Sequence, residues 1–69
     1  MIIIGETFII DCPNIRTIGL EEGCSRIEIE YGGYSNKVYA MQFSSLEGAR
    51  VAFKQLKEAF INQVSYVEV

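Results

Sequence analysis

Hydrophobic and polar residues change their spacing near residue 44 of this chain. Before that point, short β-branched runs are separated by turn residues, and Arg26–Tyr31 alternates strictly between charged and apolar side chains. Such alternation is typical of an antiparallel strand with one buried face. After residue 44, apolar residues recur every three or four positions, which is typical of an amphipathic helix. The pattern predicts a sheet followed by one helix.

Four or five short strands are predicted within residues 1–43. Gly5 and Glu6 are expected to form the tip of a type II′ hairpin. A turn cluster around Pro13 and the paired glycines at 32–33 predict two further turns. For the fifth strand, the pattern leaves open which face lies inside. The predicted strands are Ile2–Ile4, Thr7–Ile10, Ile15–Leu20, Arg26–Tyr31 and Lys37–Phe43.

The helix is predicted over about 44–62. Ser44 and Glu47 fit a capping box, in which Ser44 is the N-cap and Glu47 reaches back to it. Val64–Val69 is rich enough in β-branched residues for a short final strand, and an ordered tail is the alternative. The predicted apolar stripe of the helix consists of Leu46, Ala49, Ala52, Phe53, Leu56, Ala59, Phe60 and Val64.

Together these elements predict one α+β domain over residues 1–69. An antiparallel β-meander in residues 1–43 is covered on its apolar face by the helix, because consecutive strands with short turns pair most simply in this way. The 69 residues leave room for a single domain. The longest purely apolar run, Met1–Ile4, is far too short to span a membrane.

Composition narrows the chemistry that is expected of such a domain. The chain has no histidine, which removes the commonest general base and the commonest metal ligand. Gly32-Gly33 is not followed by the lysine and helix of a phosphate-binding loop. We therefore predict a protein without enzymatic activity, cofactor or metal site.

Both cysteines are expected to be free thiols. Cys12 and Cys24 fall in turns at opposite ends of one predicted strand, about 20 Å apart at ~3.3 Å per residue. A disulfide needs Cα atoms within about 7 Å of each other. Free thiols are typical of a reducing cytoplasm, which is the compartment we predict.

The formal net charge of −3 belongs to residues 1–43, since acidic and basic residues balance in the rest of the chain. An acidic chain binds phosphate backbones poorly, so direct binding of nucleic acid is not expected. The carboxylates of the predicted sheet are instead candidates for mimicking phosphates. The alternative is that they only keep the surface soluble and protect a sheet edge. These residues are Glu21, Glu22, Glu28 and Glu30.

Two further groups are candidate binding residues. Tyr31 and Tyr34 flank the glycine turn and offer rigid amphipathic contact area, although Tyr31 could instead point into the core. Arg50, Lys54 and Lys57 lie within a ~60° stripe beside the apolar face of the helix. This stripe suits an acidic protein partner, or a small phosphorylated ligand held together with Tyr34 at a subunit interface. Solubilising charge is the alternative.

The small size of the chain predicts self-association. Below about 70–80 residues a single core supplies little stability, and small folds usually add a disulfide, a metal or a second subunit. Ile2–Ile4 and Val64–Val69 are weakly charged edge-strand candidates that could pair across a symmetry axis. We predict a homo-oligomer.

The order of these motifs resembles a group of short bacterial and phage proteins, on the residues Ile2–Gly5, Asp11–Asn14, Phe43–Glu47 and Phe53. Small phage-encoded inhibitors of bacterial defence, including anti-CRISPR proteins, are similar in size, acidity and sheet-plus-helix build. They act by blocking a nucleic-acid-binding surface with carboxylates or by sequestering a signalling nucleotide between subunits. The resemblance implies a binding protein in the bacterial host cytoplasm that inhibits or sequesters a defence component. A structural subunit of an assembly, without a small ligand, is the alternative.

Overall fold

The computed structural model describes residues 1–69 and contains six strands and one helix, so the predicted α+β class is confirmed. A single 3₁₀ turn, Glu22–Cys24, joins the third strand to the fourth. The elements are β1 (Ile2–Ile4), β2 (Ile9–Asp11), β3 (Thr17–Glu21), β4 (Arg26–Tyr31), β5 (Lys37–Gln42), α1 (Leu46–Ile61) and β6 (Tyr66–Glu68).

The strands form two three-stranded sheets rather than one continuous meander. The first sheet has the order β2-β1-β6, and the second sheet has the order β3-β4-β5 and is antiparallel throughout. Residues 12–16 lead from one sheet to the other, and β2 does not pair with β3. Pro13 lacks a backbone N–H, and Asn14 has a positive φ of 54°, so this segment cannot continue a ladder.

Residues 64–69 contain a strand, and this strand changes the role of β1. β6 pairs with β1 in parallel, with Ile2 opposite Tyr66 and Ile4 opposite Glu68. β2 pairs with β1 on its other side. The expectation that Ile2–Ile4 is a free edge is therefore wrong, because β1 is the central strand of its sheet.

The β1–β2 hairpin differs from its prediction at the tip. Gly5 N–H donates to the carbonyl of Phe8 at 2.8 Å, so Glu6 and Thr7 form the tip. Gly5 does not have the positive φ that a type II′ turn requires. A Cβ at Gly5 would instead overlap the Phe8 ring. The glycine thus allows the Phe8 ring to lie close to the backbone, where it contacts Tyr39 at a centroid distance of 5.8 Å.

The helix begins one residue later than the predicted cap allows. Ser45 has extended backbone angles, and its hydroxyl accepts a hydrogen bond from Gly48 N–H at 3.1 Å. The capping box of Ser44 and Glu47 is therefore wrong, although the N-cap is still a serine. The buried residues of α1 are Ala49, Ala52, Leu56 and Ala59, whereas Phe60 and Val64 are exposed.

One core lies between the helix and the inner faces of both sheets. Ile3 contributes from the first sheet, and Ile27 and Ile29 contribute from β4. On β5, Met41 is buried and Tyr39 is half-buried, which decides the inner face of that strand. The helix is neither long nor apolar enough to cross a membrane.

Candidate protein-binding surface

The outer face of the second sheet is open, because α1 packs against the opposite face. Strict alternation along β4 produces this arrangement: Ile27 and Ile29 are fully buried and their neighbours point outward. The strand register places the outward residues in three rows of three. These rows are Glu21, Arg26 and Gln42; Gly19, Glu28 and Ala40; and Thr17, Glu30 and Val38.

Three carboxylates share this outer face with one cation. Arg26 Nη2 lies 2.9 Å from the Glu21 carboxylate and 3.4 Å from that of Glu28. Glu30 accepts a hydrogen bond from the Thr17 hydroxyl at 2.9 Å. These side chains border a shallow depression of about 280 Å³, which also includes Gly19 and Val38. We call this surface the acidic face: Glu21, Glu28 and Glu30 with Thr17, Gly19 and Val38.

Glu21 and Glu28 shift each other's pKa on the acidic face. Hydrogen bonds from Glu28, then from Cys24 and Arg26, lower the pKa of Glu21 to about 2. The same hydrogen bond to Glu21, together with repulsion by its charge, raises the pKa of Glu28. As pH falls, Glu28 therefore takes up a proton first while Glu21 keeps its charge. The charge of the acidic face thus depends on pH above the ordinary range of a glutamate.

Glu22 is separated from the other predicted carboxylates. It lies in the 3₁₀ turn, where its carboxylate contacts Arg50 Nη2 of α1 at 2.5 Å. The expectation of a four-glutamate surface is thus reduced to Glu21, Glu28 and Glu30. The same contact neutralises Arg50, which is one of the three cations of the predicted basic stripe.

The basic stripe of α1 (Arg50, Lys54 and Lys57) and the turn that contains Tyr34 do not meet within one chain. Lys54 and Lys57 are exposed and make no ion pair. Arg50 lies near the turn before β4, whereas Tyr34 lies in the turn after β4. The six residues of β4 separate these turns by about 20 Å. A ligand held by Arg50 and Tyr34 of the same chain would therefore have to reach from one end of the sheet to the other.

The two tyrosines have different surroundings. Tyr31 is half-buried and packs against the core, whereas Tyr34 is fully exposed. Arg16, which the sequence pattern did not single out, holds their loop through hydrogen bonds to the Gly32 carbonyl at 2.7 Å and the Asn36 side chain at 2.5 Å. No sequence signal distinguishes this arginine from a solvated one, because its partners are 16 and 20 residues away.

A second open surface, also absent from the predictions, is the outer face of the first sheet. Ile2, Ile9 and Tyr66 are 41%, 73% and 60% exposed there. The register places them with Ile4 and with two carboxylates, those of Asp11 and Glu68. We call this surface the apolar face. An exposed apolar patch is a candidate contact surface.

The two cysteines are free thiols in different environments. Cys12 lies in the core, and burial raises the pKa of its thiol. Cys24 is exposed, and its Sγ donates to Glu21 at 3.2 Å, which raises its pKa. Both thiols are thus kept protonated rather than activated as nucleophiles. No three acidic, cysteine or histidine side chains are placed to hold a metal ion.

Comparison of this chain with protein-family models, with curated proteins and with solved structures gives no match.

Proposed function

We propose that this chain is a binding protein whose acidic face occupies a basic, nucleic-acid-binding surface of a partner protein. The observation that carries the proposal is the open outer face of the second sheet, where three carboxylates share the surface with a single arginine that pairs with two of them. Complementary charge of this kind steers association and selects the partner.

The spacing of the carboxylates supports phosphate mimicry. Glu28 and Glu30 are two residues apart on one strand, so their Cα atoms are separated by about 7 Å. Glu21 lies on the neighbouring strand, one row away from Glu28. Neighbouring phosphates along a nucleic-acid strand present negative charge at a similar interval, and a groove that binds phosphates would accept these carboxylates in their place.

The resemblance to phage inhibitors of bacterial defence directs the choice of partner. We infer that the partner is a nucleic-acid-binding defence component, such as an RNA-guided nuclease. A small phosphorylated ligand is less well supported, because Arg50 is already paired with Glu22.

The test is displacement of a fluorescent DNA duplex from purified bacterial RNA-guided nucleases, followed by anisotropy. The wild-type chain is expected to release DNA from at least one nuclease. Glu28→Lys with Glu30→Lys should weaken this inhibition about tenfold or more, because both changes place cations against a basic groove. Glu47→Lys with Glu58→Lys is the matched control, since it changes net charge equally on the exposed side of α1.

Equal inhibition by both double variants would contradict the proposal, as would an equal loss from both. The second candidate, a subunit of an assembly, is favoured by the exposed apolar face. Loss of partner capture through Ile9→Lys, with full activity of the Glu28 and Glu30 double variant, would support that candidate instead.

A further inference from the structure

β5 is the longest unpaired sheet edge of this protein. It has six residues, whereas the edges β3, β2 and β6 have five, three and three. Phe43 N–H donates to the Ser25 carbonyl at 2.9 Å, which sets the alternation of the β4–β5 ladder. Val38, Ala40 and Gln42 therefore direct their backbone N–H and C=O groups away from β4. β5 has no neighbour on that side.

An apolar groove of about 540 Å³ lies beside this edge. Phe8, Tyr39 and the exposed Glu6 line it, and α1 contributes Gly48, Val51 and Gln55. Val51 is 55% exposed although it is apolar. We call this surface the β5 groove.

The wall that α1 contributes to the β5 groove is uncharged, whereas the opposite flank of the same helix has three cations. Depletion of charge distinguishes the centre of an interface, and homodimer interfaces are the most apolar class. Along β5 itself, the only charged residue is Lys37, at the end of the strand. A long edge without proline, bulge or internal charge is a template for another strand. The cations of the opposite flank are Arg50, Lys54 and Lys57.

We propose that a second copy of this chain pairs with β5 in antiparallel fashion, around a two-fold axis at Ala40. Val38 then lies opposite Gln42 of the second copy, and the smallest side chain of the strand lies at the axis. The two second sheets become one sheet of six strands. Val51 of each helix borders the β5 groove of its own copy, and the two grooves meet above the joined strands, because the helices lie on the same side of the joined sheet.

Charge favours a second copy at this edge over other sites of self-association. The two Lys37 side chains are about 20 Å apart in the antiparallel pair, at ~3.3 Å per residue. By contrast, packing two apolar faces together would oppose Asp11 and Glu68 of both copies without any cation. The β3 edge is also a less favourable site for a second copy. Its outer face has Gly19 and Glu21, and Glu21 is already paired with Arg26.

The pairing would take a modest part of the surface of the chain. A standard interface takes about 800 Å² from each partner, roughly a sixth of the 4687 Å² accessible surface of this chain. The pairing does not depend on the proposed function, because no carboxylate of the acidic face lies on β5.

The first test is the solution mass by light scattering. Wild type is expected at twice the chain mass of 7.8 kDa, and Val51→Glu at the chain mass. Ile61→Glu is the matched control, since Ile61 is 67% exposed on the other flank of α1. It should remain a dimer.

A monomeric wild type would overturn the inference and leave the β5 groove to a peptide of another protein. A monomeric Ile61→Glu variant would also overturn it. So would a monomeric Ile9→Glu variant, altered on the apolar face, if Val51→Glu remained a dimer.

The second test is a disulfide across the axis, in a Cys24→Ser background. Hydrogen-bonded antiparallel partners have Cα atoms about 5.5 Å apart, within the range of a disulfide. Ala40→Cys should therefore cross-link on oxidation. Gln42→Cys is the control, because its two copies lie about 13 Å apart, four residues along the pair. Cross-linking of Gln42→Cys, or none at Ala40→Cys, contradicts the pairing.

Discussion

The two sheets bury similar residues on their inner faces and expose different ones on their outer faces. Ile3 of the first sheet and Ile27 and Ile29 of the second are fully buried in one core. The outer face of the first sheet exposes Ile9 and Tyr66, whereas that of the second exposes glutamates. The inner faces therefore account for folding, and the outer faces are where the two sheets differ in what they can contact.

The largest expected effects come from truncating the inner faces. Ile3→Ala and Ile29→Ala should each lower the free energy of unfolding by about 2–5 kcal/mol, because both side chains are fully enclosed. Chemical denaturation followed by circular dichroism measures this. Since both sheets share one core, each variant should still unfold in a single transition.

Ile9→Ala is the matched control on the apolar face. The Ile9 side chain is 73% exposed, so its truncation should change the free energy of unfolding by no more than about 0.5 kcal/mol. A cost equal to that of Ile3→Ala would mean that the apolar face is covered in solution. A separate, earlier transition in Ile3→Ala would mean that the sheets have separate cores.

An intermediate effect is expected at the glycines of the two sheets. Gly5→Ala should lower the free energy of unfolding by about 1–3 kcal/mol, because the new Cβ displaces the Phe8 ring from Tyr39. Gly19→Ala on the acidic face meets no atom within 4 Å and does not have a positive φ. It should be neutral or stabilise the protein by up to about 1 kcal/mol. Thermal unfolding of the pair tests this, and the reverse order of stability would contradict it.

The smallest effect concerns titration on the acidic face. Glu28→Ala should raise the pKa of Glu21 from about 2, as measured by carboxyl carbon NMR. Glu28 is protonated in the pH range where Glu21 titrates, since its own pKa is raised. The substitution therefore removes a hydrogen-bond donor and not a charge.

Glu30→Ala is the control for this titration, because Glu30 is bonded to Thr17 and not to Glu21. It should leave the Glu21 pKa unchanged. In the wild type, capture of a basic partner should weaken as pH falls through the raised pKa of Glu28, because the acidic face then loses one negative charge. An unchanged Glu21 pKa in Glu28→Ala would show that the two carboxyls do not shift each other's pKa.

The sequence was most informative where one face of an element is polar. β4 was predicted with its correct bounds, because Arg26, Glu28 and Glu30 alternate with buried isoleucines. The helix was predicted for the same reason, and its cap was misplaced by one residue because Ser44 and Ser45 are chemically alike. The acidic residues of β4 followed directly from this alternation.

The remaining features depend on contacts that no local pattern records. β1 is apolar on both faces, so the pattern of Ile2–Ile4 could not show which side is buried or that β6 pairs with β1. Glu22 differs from Glu21 only through the 3₁₀ turn that directs it toward Arg50. The β5 groove combines three distant segments of the chain.

The parallel pairing of β1 with β6 determines the order in which the chain can fold during synthesis. Ile2 and Tyr66 are 64 positions apart, whereas β3, β4 and β5 are joined by short turns. The second sheet consists of local contacts, all of which are available once residue 42 has left the ribosome. The first sheet cannot be completed until residue 68 has emerged, so the isoleucines of β1 remain without their parallel neighbour until then.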